Sequence, residues 1–392
     1  MANIVRWVGG TGLQKELITQ IQTIRHSKVI AYITGDRQPI GAIIAEDAVR
    51  PLYEHLLSVG QSTKIDLLLY SRGGDVSVPW RVVSMFREFC DDFSVLVPYK
   101  AHSAATLISL GADRIIMGKK AELSPIDPTL RKMTIGETTG PPQEISVEDV
   151  NSYISFIRER ANINDQSALA QMVSILANNL APLTLGSVNR QNSHIRLVAR
   201  KLLTSRKEKL EEAKISSIID TLTEKIYSHG HAIGRKEAQE IGLPIEMSEE
   251  SLEDTVWNIY LKYEEFLKLT EPLDPLVALS GKEEEHLEEV PIAIIESENK
   301  TDVFTTRVDF KRRRQVPSNP QINLNLGLNL PPNVRPEQIP PQLQQILQQM
   351  INQVVPSVQQ LVQQEIIRQS PEVGIDIRVY GGRWKEYEGR NK

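Results

Sequence analysis

The chain has one cysteine, Cys90, in 392 residues. A single thiol excludes a disulfide framework within the chain and any zinc site built from clustered cysteines. Aromatic residues are scarce, at 5%, so the core has to be filled mainly by aliphatic side chains. Neither sign of charge dominates. The 45 Lys and Arg against 50 Asp and Glu leave a formal net charge of −5, which gives no overall attraction to nucleic acid or anionic lipid. No run of about 18 apolar residues occurs, so no membrane insertion is expected. Residues Met1–Gly10 lack a basic stretch followed by an apolar one, the pattern of a secretory leader. What remains is the expectation of a cytoplasmic α/β protein. Its 40% apolar and 24% charged residues are those of a folded chain, and its length allows two to three domains.

The first part alternates helical and strand patterns. Leu13, Leu17, Ile18, Ile21 and Ile24 follow helical spacing, with Thr11 as an N-cap. Val29–Thr34 is a short apolar run ended by Gly35-Asp36, which suits a buried strand. Glu46–Leu57 reads as helix, Ile65–Tyr70 as strand, Trp80–Phe89 as helix and Phe93–Val97 as strand. A helix opens at His102-Ser103 and runs through Leu110, and Arg114–Met117 is strand again. Strands separated by helices imply parallel pairing through right-handed crossovers.

Lys132–Pro142 is loop-like. Residues 146–270 are mostly helical, starting from a capping-box pattern at Ser146. Ile292–Ile295 and Val303–Phe310 flank Ser297–Lys300 as a β-hairpin, followed by a linker at Pro317–Pro341. An apolar stripe from Leu343 to Val362 lies in a Gln-rich helix, which Pro356 should kink or split. It suits an oligomerisation or partner helix. A last strand is expected at Gly374–Tyr380. Lys311–Arg314 reads as a solvated edge that blocks strand pairing, and Cys90 as an inert core residue at a helix end.

Two strand-to-helix junctions carry the chemistry. Strand Ile65–Tyr70 ends in Gly73-Gly74, where the missing Cβ lets the backbone turn sharply and expose its amides. Strand Phe93–Val97 leads to Ser103 at a helix start, with free amides around it. Brought together at the carboxyl edge of one parallel sheet, these amides would form an oxyanion hole. A plain glycine turn and an ordinary serine N-cap are the competing readings of the same residues.

Four blocks in order give a specific resemblance. They are Leu69-Tyr70-Ser71-Arg72-Gly73-Gly74-Asp75-Val76, Val97–Ile108 with Ser103 at its centre, Gly111–Gly118, and Leu123-Ser124-Pro125-Ile126-Asp127-Pro128. Together they resemble the Clp protease proteolytic-subunit superfamily of serine peptidases, with the crotonase spiral fold. The nearest resemblance is to serine dehydrogenase proteinases, and there is also similarity to signal peptide peptidase A. Ile233–Leu243 is similar to the family's closing helix. The resemblance spans roughly residues 30–243. It implies a peptidase domain over 1–245 with a helical insertion at about 146–227, then a helical extension at 246–290. A C-terminal region follows at 291–392, with a hairpin, a Pro/Asn/Gln-rich linker and an amphipathic helix.

The same resemblance implies Ser103 as the nucleophile of a serine endopeptidase, with Gly73, Gly74 and Ala104 as oxyanion donors. It further implies a peptide or protein substrate bound by strand addition near Asp75-Val76, no cofactor, no metal, and a homo-oligomer. The chain departs from the family pattern at the base. Glu122–Ile126 contains no histidine and Ser146–Ile157 no lysine. The base is therefore sought among His102, Lys119, Lys120, His229 and His231, with Lys100, Lys132 and His194 as further nitrogens. His102 adjoins Ser103, although neighbouring side chains at a helix start diverge, which puts it at the flank. A lysine base needs burial to lower its pKa. Two other activities share these residues: an acyl-CoA enzyme of the crotonase type, for which Glu122 is the nearby carboxylate, and a peptide-binding scaffold without catalysis.

Overall fold

The computed structural model describes residues 14–126, 129–131, 144–179, 182–226, 228, 230–316 and 340–387. In chain order its elements begin with α1 (Lys15–Arg25), β1 (Lys28–Thr34), α2 (Val49–Val59), β2 (Ser62–Tyr70) and α3 (Val78–Arg87). Next come β3 (Cys90–Val97), β4 (Lys100–Ala101), α4 (Ala104–Leu110), β5 (Arg114–Met117) and β6 (Glu122–Leu123). The middle holds β7 (Thr129–Arg131), β8 (Glu144–Ser146), α5 (Val147–Ser155), α6 (Gln166–Asn179), α7 (Pro182–Ser205) and α8 (Glu212–Asp220). After these come β9 (Ile233–Gly234), α9 (Arg235–Ile241), β10 (Ile245–Met247), α10 (Glu250–Leu267), α11 (Pro275–Leu279), β11 (Glu284–Ser297) and β12 (Thr301–Arg314). The chain closes with α12 (Pro341–Gln369), β13 (Glu372–Val379) and β14 (Arg383–Glu386).

The chain divides into two compact units. The larger takes in the described residues from 14 to 273, 289–306 and 381–387. Its sheet runs β10-β5-β3-β2-β1-β11-β12, with β14 on β12. The strands from β10 to β1 are parallel. β11 joins β1 antiparallel, pairing Ile30 with Ser297 and Thr34 with Ala293.

The parallel strands are buried on both faces because alternate side chains feed two cores. Ile30 and Tyr32 of β1 join Leu67 and Leu69 of β2 in the core that takes in Phe86, Leu107 and Leu202. Val29, Ala31 and Ile33 join Leu68 and Tyr70 on the opposite face, against Ile18 of α1 and Ile259 and Tyr263 of α10. Burying each large aliphatic side chain contributes roughly 1.5–3 kcal/mol. Asp113 fixes the turn before β5. Its carboxylate accepts from Arg87 at 2.8 and 3.0 Å, from Phe93 N–H at 3.0 Å and from Lys207 N–H at 2.7 Å. These donors hold its carboxyl below the usual carboxylate range despite burial.

The smaller unit takes in residues 274–288, 307–316 and 340–380. Asp274 caps α11, accepting from Leu276 N–H at 2.8 Å. The second half of β12 pairs antiparallel with β13. Lys311–Arg314 therefore lies inside a paired strand. Expected to block pairing, the basic run is instead neutralised: Arg312 meets Glu372 and Arg314 meets Glu283. α12 runs unbroken past Pro356, because a proline removes one hydrogen bond of the ladder and the surrounding turns keep theirs. Its stripe leaves Ile346, Met350, Val354 and Leu361 exposed.

Other expectations are also corrected. Helix α3 ends at Arg87, so Cys90 opens β3 rather than closing a helix. The Cys90 thiol is buried, and burial pushes its pKa up to about 12. Thr11, the loop at Lys132–Pro142 and most of the linker at Pro317–Pro341 lie outside the described residues.

Candidate functional site

The two junctions meet. Ser71 N–H donates to Lys100 C=O at 2.9 Å, and His102 N–H donates to Ser71 C=O at 2.9 Å. This parallel pairing of Ser71 with Ala101 laces the loop after β2 to the segment before Ser103. The Ser71 hydroxyl organises its own loop. It accepts from Thr34 Oγ1 at 2.7 Å and from Gly73 N–H at 3.0 Å.

Gly73 and Gly74 have φ values of 113° and 155°, which L side chains rarely adopt. Both are also close-packed. A Cβ on Gly73 would lie 2.7 Å from Ser103 Cβ and 3.2 Å from Ser103 Oγ, and one on Gly74 would lie 2.1 Å from Ile44 O. The Ile44 segment braces the turn from its far side. Ile44 N–H donates to Gly73 C=O and Asp75 N–H to Ile44 C=O, both at 2.8 Å. One edge of this stretch is thus taken by Ile44. On the other edge, Gly74 N–H and C=O have no partner among the described residues.

Ser103 is half-buried and stands at the start of α4 with φ 50° and ψ −111°. A serine in this region is strained, and such strain persists only where surrounding contacts impose it. Here they do. Ser103 N–H donates to Ser124 Oγ at 2.8 Å, and the Ser124 hydroxyl donates to Pro125 C=O at 2.8 Å. Thr106 Oγ1 ties the same strand down, donating to Ala101 C=O at 2.7 Å and accepting from Ser124 N–H at 3.1 Å. The Ser103 side chain does not cap α4, so the ordinary N-cap reading of this serine is not what the structure contains. Its Oγ has no hydrogen bond among the described residues, and neither has Ala104 N–H. The three expected oxyanion donors therefore differ. Gly73 N–H is spent on Ser71, while Gly74 N–H and Ala104 N–H are free.

The candidate bases separate clearly. His102 Nε2 lies 3.0 Å from Glu122 Oε1, an encounter made by the pairing of Lys100 with Glu122 between β4 and β6. Burial lowers the His102 pKa, with Lys100 and Arg72 acting in the same direction and Glu122 opposing them. Lys119 and Lys120 face a different cavity, with Lys120 Nζ 4.2 Å from the centre of the Trp257 ring. Lys100 Nζ sits over Tyr99 at 4.5 Å. His231 is exposed and pairs with Glu237 at 2.9 Å, and His194 is exposed on α7. His229, Lys132 and Asp127 lie outside the described residues. No cluster of three potential metal-ligating residues occurs among the described residues. Among them, too, no helix is long and apolar enough to cross a membrane.

Ile44, Ser71 and Ser124 escaped the sequence reading as site-shaping residues. Ser71 and Ser124 lie inside the motif blocks, and that position is the signal that points to their hydroxyls. Ile44 had no such signal.

The chain is similar to several known proteins. A family profile described as ClpP-like SDH-type serine proteinase matches residues 11–274. An uncharacterized protein of Methanocaldococcus jannaschii is 25% identical over 238 residues, covering 59% of this chain and 72% of its own. A second uncharacterized protein of that organism is 28% identical over 119 residues, covering 29% of this chain and 41% of its own. Among solved structures, a ClpP1 mutant from Listeria monocytogenes is similar at 13% identity, over 59% of this chain and 99% of that one, with a TM-score of 0.28.

Proposed function

The chain belongs to the ClpP-like SDH-type serine proteinase family, and from that premise we propose that it cleaves peptide bonds through an acyl-enzyme on Ser103. The observation that supports this reading is a hydroxyl without a hydrogen bond among the described residues, Ser103 Oγ, packed against the Gly73-Gly74 turn, with Gly74 N–H and Ala104 N–H also unbonded there. Ser103 Oγ attacks the scissile carbonyl carbon, and the two amides receive the negative oxygen of the tetrahedral intermediate. One such donor is worth about 100- to 1000-fold in rate. Collapse expels the amine, which takes a proton, and water then hydrolyses the ester to free Ser103.

His102 is the proton acceptor in this reading. Burial keeps its imidazole neutral at pH 7 and able to take the Ser103 proton, and Glu122 orients the ring from Nε2. The hydrogen bond from Ser103 to His102 forms when substrate closes the site, as catalytic hydrogen bonds often tighten only in the complex. Glu122, the carboxylate an acyl-CoA enzyme would need free, is engaged with His102. The open edge at Gly74 receives an extended peptide strand. A cytoplasmic homo-oligomer acting on peptide or protein substrates belongs to the same proposal.

A fluorophosphonate probe tests it. Wild type is expected to be labelled at Ser103 and the Ser103→Ala variant not. A folded wild-type protein that stays unlabelled, yet binds peptide as well as Ser103→Ala does, would make the chain a peptide-binding scaffold instead.

A further inference from the structure

A cavity of about 180 Å³ opens beside Trp257, at the carboxyl ends of the parallel strands β3 and β5, where α10 begins. Open α/β sheets bind ligands at this edge. Its floor is apolar, made by Pro98, Ile116, Val256 and the Trp257 ring. A dry cavity of about 150 Å³ holds a benzene, so this one has room for a leucine- or phenylalanine-sized side chain.

The polar groups around the floor are unsatisfied in a particular pattern. Lys119 and Lys120 present ammonium groups with no carboxylate partner among the described residues, and Lys120 is held in place over the indole. Asp254 presents a carboxylate that likewise has none. Ser248 Oγ is buried with no hydrogen-bond partner. The fourth charged group, Glu253, is already occupied, because its Oε1 accepts from Lys119 N–H at 2.9 Å. Two cations, one anion and an orphan hydroxyl thus surround a greasy pocket.

The geometry points to a binding site for a free apolar α-amino acid, its side chain on the Trp257 floor, its carboxylate at Lys119 and Lys120, and its ammonium at Asp254 and Ser248. A ligand with only one of these charges leaves the opposite group at the rim unpaired. Binding here does not depend on the peptidase reading, and Ser103→Ala is expected to bind as wild type does.

Equilibrium dialysis of the full chain against radiolabelled L-leucine is the test. Saturable binding at millimolar leucine or below is expected. Leucinamide, which lacks the carboxylate, and isocaproate, which lacks the ammonium, should compete about tenfold less well or worse, the weight of one charge-assisted contact. Lys120→Met and Asp254→Asn change exposed side chains and should keep the native far-ultraviolet circular dichroism and urea midpoint while weakening leucine by a similar factor. Absence of saturable leucine binding overturns the proposal. So does competition by leucinamide or isocaproate equal to that of leucine, or unchanged binding by both variants.

Discussion

Gly73 and Ser103 come from different loops, yet a Cβ on Gly73 would stand 2.7 Å from Ser103 Cβ, so the glycine is the wall against which the serine side chain rests. Gly73→Ala should therefore displace Ser103 and abolish fluorophosphonate labelling in a protein that still folds. Gly74→Ala should act on the fold as well, because its new methyl would meet Ile44 O. Crowding of that kind and the unfavourable φ together cost about 2–5 kcal/mol. Urea unfolding of both variants separates the two effects. Equal destabilisation, or labelling of Gly73→Ala at the wild-type rate, would contradict the assignment.

The backbone at Ser103 pays a conformational penalty that glycine would not. Ser103→Gly is expected to be more stable than Ser103→Ala by about 1 kcal/mol, since both lose the hydroxyl and only glycine relaxes at φ 50°. Chemical denaturation of the two variants under identical conditions decides the point. An alanine variant as stable as the glycine one would mean that the strain is absent.

His102 and Glu122 should leave a signature in the pH dependence of peptidase activity. The imidazole titrates below its ordinary value, so activity should persist into mildly acidic solution and fall as pH drops through that lowered value. Glu122 raises the His102 pKa, so Glu122→Gln should move the acidic limb further down in pH while slowing the reaction. His102→Gln should reduce the rate by about 100- to 10,000-fold, the range for a lost general base. A Glu122→Gln limb shifted upward would rule out the pairing as drawn.

A second serine, histidine and aspartate lie together with no opening. His55, fully buried, places Nδ1 2.8 Å from Ser297 Oγ and Nε2 3.2 Å from Asp302 Oδ2. The Asp302 contact is off the hydrogen-bonding direction, and Lys300 at 2.9 Å is the firmer partner of that carboxylate. Burial accordingly lowers the His55 pKa in spite of Asp302. Below about pH 6.5 the unfolded chain takes up a proton that the native one refuses, so stability is lost as pH falls toward the folded-state value, at up to about 1.4 kcal/mol per pH unit. Asp302 itself is held below the usual range, burial being outweighed by His55 and Lys300, and its contribution is lost only at still lower pH. Thermal melts between pH 7 and pH 5 should fall more steeply for wild type than for His55→Asn, which keeps a group facing Ser297. Parallel slopes would remove His55 from the account.

Much of this architecture could be read along the chain. The alternation of buried runs with helical spacing gave the parallel sheet, and the blocks around Gly73-Gly74 and Ser103 gave the meeting of two loops, because turns and strand ends are written in adjacent residues. Contacts made by register were not legible. His102 reaches Glu122, 20 residues away, only because β4 pairs with β6. The expected hairpin at 292–310 forms, with β11 beside β12, and it also carries β11 onto β1; nothing local distinguishes a strand that pairs with its neighbour alone from one that also completes a sheet. Ile44 could not be singled out, since what it contributes to the turn is backbone, and any residue type supplies that.

The one sulfhydryl of the chain opens a practical route to the site. Cys90 is sealed in β3 and stays protonated at ordinary pH, so it is silent to alkylating reagents in the native state. A Ser103→Cys exchange would then place a single addressable thiol in the protein, and the rate of its carboxamidomethylation by iodoacetamide, followed by mass spectrometry, would report how reactive that position is without first removing anything native.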